Sequence, residues 1–195
     1  MLEDKLNVIN KLIASAEFSA ADREINPLIN QHPQNAKLWN IKAITTKNLG
    51  RLKDTLFCLN KSLSADPNYK PALLGLANLQ STNSWFKESI ESFNKILDLD
   101  SKNSEALFGK GHSLNQLGNF AEAIKVLETA NLLDNRNVNI KIAYGQSLLN
   151  LDKNDEAIKL FDDVLLIEGH NLAALNNKAV ALKKKCEWQA AIECL

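Results

Sequence analysis

Apolar and small residues recur along this chain in the alternating three- and four-residue spacing of amphipathic helices. Counted in segments that begin at Leu2, Ala36, Lys70, Ser104, Val138 and Leu172, they fall at positions 4, 7, 8 and 11 of a first stretch and at 17, 20, 21, 24, 27 and 28 of a second. The shared register is a 34-residue repeat. Displacing the sequence by that period aligns Ala43, Ala77, Gly111, Gly145 and Ala179, and twelve residues later Thr55, Ser89, Ala123, Ala157 and Ala191. Position 24 of the repeat reads Ile25, Leu59, Phe93, Leu127, Phe161 and Leu195, with no insertion or deletion along the way.

Each segment therefore predicts two helices, A and B, joined by a turn at positions 14 to 16. Leu49-Gly50-Arg51, Leu117-Gly118-Asn119 and Leu151-Asp152-Lys153 supply the turn-formers, and Phe86, Phe120 and Trp188 cover the turn from the start of helix B. Helix B stops at Ala65-Asp66-Pro67-Asn68, Leu99-Asp100-Ser101 and Leu133-Asp134-Asn135. The period predicts helix pairs near 36–67, 70–101, 104–135 and 138–169, with Ala43, Ala77, Gly111 and Gly145 buried where helices approach closely. Period-two alternation with β-branched runs is absent from the sequence. The expected fold is an all-α solenoid of helix–turn–helix repeats forming a single domain over 1–195, five whole units and one partial.

A 34-residue helix–turn–helix unit with small residues at positions 8 and 20 and proline near 32 resembles the tetratricopeptide repeat. Residues 36–68 carry Trp39, Ala43, Gly50 and Asp66-Pro67-Asn68; residues 104–137 carry Leu107, Gly111, Leu114, Gly118, Phe120, Ala123 and Ala130. The resemblance implies a right-handed superhelix whose A helices line a concave groove for a peptide of another protein. Lys42, Lys110 and Lys178 stand where that pattern wants leucine, Lys5 and Lys141 where it wants a large apolar residue, and Thr46 and Gln80 are polar at position 11. Their aliphatic stems are expected along apolar surface with the ammonium in water. Chaperone-binding members hold a C-terminal carboxylate with lysine, asparagine and arginine. The corresponding positions here (Leu6, Asn10, Ile41, Pro71 and Gly75, or one unit later Asn40, Ile44, Gly75, Glu105 and Gly109) do not supply that clamp, which argues against a heat-shock co-chaperone.

Composition narrows the partner. The 195 residues are 45% hydrophobic and 24% charged, and 23 basic residues balance 23 acidic ones. With no basic surplus for phosphates, neither nucleic acid nor an anionic membrane is expected as a partner. Cys58, Cys186 and Cys194 form neither a disulfide framework nor a zinc-like spacing. Cys186 and Cys194 are expected as buried small hydrophobes. The start of the chain has no secretory pattern and no apolar run reaches the ~20 residues of a membrane span, so the expected location is cytoplasmic.

Catalytic chemistry has no foothold. His32 and His170 fall in inter-unit turns and His112 on a helix A, and no nucleophile, phosphate-loop or metal-ligand motif occurs. Gly109 and Gly111 flank a lysine inside a helix, where they are expected to permit close packing. Lys183, Lys184 and Lys185 read as a solvated turn. The expectation is a non-enzyme with no cofactor and no metal.

At 100° per residue, positions 2, 5, 9, 12 and 13 of helix A lie opposite the core positions and are expected to line the groove. Ten of those thirty positions are Asn or Gln, about twice the chance number for a chain with 30 amides in 195 residues. An amide offers a donor and an acceptor together, which suits an extended peptide backbone. The candidate groove residues are Asn40, Asn48, Leu74, Asn78, Phe108, His112, Asn115, Gln116, Ile142, Gln146 and Asn150. At the C-terminal end Trp188, Ala191, Ile192 and Leu195 form an apolar stripe, for which self-association or fraying is expected. The reading is a protein–protein interaction adaptor; the alternatives are a self-stacking scaffold or the repeat arm of a longer enzyme or transport component.

Overall fold

The computed structural model describes residues 2–194 and places helices where the period predicts them. In chain order they are α1 (Leu2–Ala14), α2 (Phe18–Gln31), α3 (Ala36–Asn48), α4 (Leu52–Ala65), α5 (Lys70–Thr82), α6 (Phe86–Leu99), α7 (Ser104–Gln116), α8 (Phe120–Leu133), α9 (Val138–Asn150), α10 (Asn154–Ile167), α11 (Leu172–Lys184) and α12 (Trp188–Glu193). Every helix A begins at position 1 of the repeat and every helix B at position 17. No strand occurs among the described residues.

The turn between A and B is set by backbone. Position 15 has a positive φ in all six repeats: Gly50 (73°) and Gly118 (77°), but also Ala16 (60°), Ser84 (63°), Asp152 (57°) and Cys186 (63°). Glycine enters this left-handed region freely, whereas a Cβ raises its cost by roughly 1–2 kcal/mol. The return from B to the next A is set by side chains. Asn35, Asn103, Asn137 and Asn171 cap the helices that follow, accepting from the backbone N–H of Leu38, Ala106, Ile140 and Ala174. Three of them also donate to an acidic residue three positions earlier: Asn103 to Asp100, Asn137 to Asp134 and Asn171 to Glu168. Part of the asparagine content is thus committed to ending one helix and starting the next.

The chain divides into two compact units, one through Leu76 and one from Ala77 onward, with the division inside α5. In the first unit α1 to α3 enclose a core of Leu6, Ile9, Ala21, Ile25, Leu28, Ile29, Leu38 and Ile41. In the second, Phe93, Leu127 and Phe161 are fully buried where helix B meets helix A. There the small residues at position 8 make room: a Cβ on Gly111 would lie 2.5 Å from Leu127, and one on Gly145 2.5 Å from Phe161. Ala43 and Ala77 are likewise buried.

Helix A buries more of its circumference than the amphipathic pattern predicts. Position 3 (Leu38, Ala72, Ala106, Ile140, Ala174) and position 10 (Thr45, Leu79, Ser113, Ser147, Ala181) are buried along with the expected sites. The reason is that an inner helix is covered from several sides: α9 packs on α8 and α10 and also against α7 and α11. Asn40 and Leu149, expected to be exposed, are buried for the same reason.

The departures from the apolar pattern are satisfied locally. Thr55 donates to the hydroxyl of Thr46, which itself donates to the Lys42 carbonyl, and Gln80 accepts from Ser92 at 2.7 Å. Lys5 is exposed as expected, but the other four lysines are not left in water. Lys42 bonds to Asn26, Lys141 pairs with Asp163 (3.0 Å), Lys178 with Asp162 (2.7 Å) and Lys110 with Glu122 (3.8 Å). A flanking helix B supplies each partner, because the stem ends against that helix and not at open solvent. Nor is the basic turn free: Lys184 reaches Asp152 and the carbonyl of Leu149, and Lys185 reaches Asp155 and Glu187.

Candidate binding face

Five of the predicted groove residues, Asn40, Leu74, Asn78, Phe108 and His112, line two similar pockets, one in each compact unit. In the first unit Asn40, Ile44 and Lys47 of α3, Leu59 of α4 and Pro71, Leu74 and Gly75 of α5 surround about 210 Å³. In the second, Asn78 and Ser81 of α5, Phe93 of α6 and Glu105, Phe108, Gly109 and His112 of α7 surround about 220 Å³. The two share one register: positions 9 and 12 of one helix A, positions 2, 5 and 6 of the next, and position 24 of the intervening helix B as floor.

Glycine at position 6 shapes this pocket, a feature the groove prediction missed. A Cβ at Gly109 would sit 2.1 Å from Phe93 Cζ, and one at Gly75 3.0 Å from Leu59 Cδ2. Without those atoms the position-24 side chain reaches the face between two A helices and forms an apolar floor. The sequence carried a signal: two glycines 34 residues apart inside predicted helices, each costing about 1 kcal/mol of helix propensity.

At the following repeat, position 6 is Ala143 and the gap is bridged. Asn115 donates to the Ala143 carbonyl (2.9 Å) and accepts from Ser147 (2.6 Å). One N–H and one lone pair of this amide are therefore held by α9. Asn48 and Asn150 are exposed, but each donates to the carbonyl four residues back on its own helix, Ile44 and Gln146. Gln116 and Gln146 are exposed, while Leu74, Asn78, Phe108, His112 and Ile142 are half-buried.

Electrostatics separate the two pockets. Lys47 is the charged residue of the first and Glu105 of the second. His112 adds no charge at neutral pH, because burial holds its imidazole below the usual 6.5. Its ring lies 6.4 Å from that of Phe108, inclined by 50°.

At the C-terminal end Ala191 is buried, whereas Trp188 and Ile192 are 55% and 65% exposed; Leu195 lies outside the described residues. Cys186 is exposed in the last turn, contrary to expectation, because position 15 points into solvent; Cys194 is half-buried and Cys58 buried, and all three are free thiols. Among the described residues no His, Cys, Asp and Glu cluster has the makings of a metal site, and no helix is long and apolar enough to cross a membrane.

Comparison with known proteins places this geometry. The family profile described as anaphase-promoting complex, cyclosome, subunit 3 matches residues 83–164. No curated protein matches the sequence. Among solved structures, YrrB, described as a TPR protein with an unusual peptide-binding site, superposes with a TM-score of 0.76 at 22% identity, covering 87% of this chain and 88% of its own. PilF of Pseudomonas aeruginosa gives 0.85 at 13% identity over 98% of this chain and 87% of its own. A tetratricopeptide repeat protein of Parabacteroides merdae gives 0.83 at 16% identity over 98% and 77%. Identities this low speak for the fold alone, and they agree with an unbroken 34-residue register of paired helices: the chain has the fold of a tetratricopeptide-repeat solenoid.

Proposed function

We propose that this protein is an adaptor of a reducing, cytoplasmic setting that binds an extended segment of a protein partner along the exposed faces of its A helices, and that it is not an enzyme. The observation that carries the reading is the pocket built twice in one register, apolar at its floor and amide- or hydroxyl-bearing at its rim. Such a site suits a single anchoring side chain with polar backbone beside it. In the second unit Asn78, Gln146 and Gln116 are the amides available for that backbone, with Phe108 and Ile142 as apolar contacts; in the first unit Leu74 holds the place that Phe108 has in the second.

Selection of peptides from a random display library against the full chain tests this. Enriched peptides should lose affinity at least about tenfold on Phe108→Glu and several-fold on Asn78→Ala plus Gln146→Ala, and change little on Leu132→Ser of the outer helix surface. Binding should weaken little between 0.1 and 0.5 M salt. Affinity unmoved by the groove substitutions and lost at Leu132 would refute the reading.

A second reading is favoured by the exposure of Trp188 and Ile192: two copies associate through α11 and α12. Mass by light scattering over a concentration series, with Ile192→Lys as the disrupting variant, decides it; a monomer at every concentration sinks it.

A further inference from the structure

We infer that the pocket of the second unit selects a bulky apolar side chain with a lysine or arginine two residues away in the bound segment. The inference rests on the adaptor reading and specifies its ligand.

The floor and one wall are aromatic. Phe93 is fully buried yet faces the pocket, since Gly109 presents no side chain in front of it. Phe108 and His112 stand side by side along α7, so a flat or branched apolar side chain entering there meets ring surface on two sides. The volume of about 220 Å³ accommodates one such side chain and excludes a helix.

The rim fixes the residue two positions away. Glu105 is exposed in the first turn of α7 and makes no ion pair among the described residues. The nearby lysine of the same helix, Lys110, is turned to Glu122 of α8. With His112 neutral, the pocket presents one uncompensated negative charge beside an apolar hole. In an extended chain adjacent side chains point to opposite sides. With one side chain anchored in the pocket, the residue two positions along the segment points back to the rim, where a cation meets Glu105 and an acid is repelled. The first unit shows the complementary case, with Lys47 as the charge beside an apolar floor of Leu59.

The test uses two acetylated probe peptides, Gly-Ser-Phe-Ser-Lys-Gly and Gly-Ser-Phe-Ser-Glu-Gly, titrated into the full isotopically labelled chain by NMR. The lysine peptide should shift the amide signals of Glu105, Gly109 and His112 and bind roughly threefold to tenfold tighter than the glutamate peptide. Glu105→Lys should invert that order and Glu105→Gln should abolish it, with helicity retained in both. Equal binding of the two probes at these signals, unmoved by Glu105→Gln, overturns the charge selection while the adaptor reading survives on its own selection experiment. Shifts confined to other parts of the chain, or none at all, overturn the pocket assignment.

Discussion

A methyl group added at Gly109 would lie 2.1 Å from Cζ of Phe93, a ring with no exposed surface into which it could swing. The pair is coupled across two helices, α7 and α6. Gly109→Ala should therefore destabilise the protein by about 1–2 kcal/mol, the overpacking outweighing the gain in helix propensity. Urea denaturation measures it. In a Phe93→Leu background the same change should cost at least about 0.5 kcal/mol less, and additivity would disprove the coupling. Gly75→Ala, with its nearest contact at 3.0 Å, should be closer to neutral.

The turns offer the opposite experiment. Ser84 holds a φ of 63° with a side chain that favours other conformations. Ser84→Gly should stabilise by about 1 kcal/mol, and Gly118→Ala, at 77° in otherwise open space, should cost about the same. Unchanged midpoints for both would contradict the left-handed turn.

How legible was this in the sequence? The period placed every helix, since small residues at positions 8 and 20 are a packing requirement that composition cannot hide. The exposed face was only partly legible. Asn115 and Asn78 look alike in the repeat, at positions 12 and 9 of their helices. The first is clamped between Ala143 and Ser147 while the second faces a pocket. That difference depends on the residue at position 6 of the next helix, a relation between repeats that a one-helix projection omits. Cys186 was misread for a related reason, as turn position 15 is fixed by backbone and accepts any side chain that tolerates water.

Substitution separates those two kinds of amide. Asn115→Ala removes one bond donor and one acceptor from a half-buried link and should cost about 1–3 kcal/mol. Gln146→Ala, at an exposed position, should stay within about 0.5 kcal/mol. Similar losses for both in a thermal melt would count against this assignment.

Thiol chemistry reads the register independently. Burial raises the Cys58 thiol to about 11, while Cys186 is exposed. At pH 8 a colorimetric disulfide reagent should modify Cys186 at once and leave Cys58 untouched until denaturant is added. Rapid loss of Cys58 in the native protein, located by mass spectrometry, would mean that α4 does not pack as described.

Acidification should act through His112. Its folded value lies below the 6.5 of the unfolded chain, so on lowering the pH the unfolded state takes up the proton first. The contribution to stability is complete above about 7 and is lost as the pH falls through 6.5 towards the lower folded value. His112→Leu should remove that part of the pH dependence, and an identical profile for the variant would exclude it.

The side chain at position 24 has two directions open to it, and glycine decides between them. Phe161 turns towards Gly145 of its own repeat, at position 8, whereas Phe93 is admitted by Gly109 of the next repeat, at position 6. Two phenylalanines at the same place in the motif thus depend on different partners. The units of this chain are consequently not interchangeable modules. Transplanting the repeat that holds Phe161 in front of a foreign helix A leaves its lock intact, while the repeat that holds Phe93 carries half of a lock whose other half lies beyond its own boundary. A library of shuffled repeats would sort itself by that rule, with junctions surviving where the glycine travels with its aromatic ring.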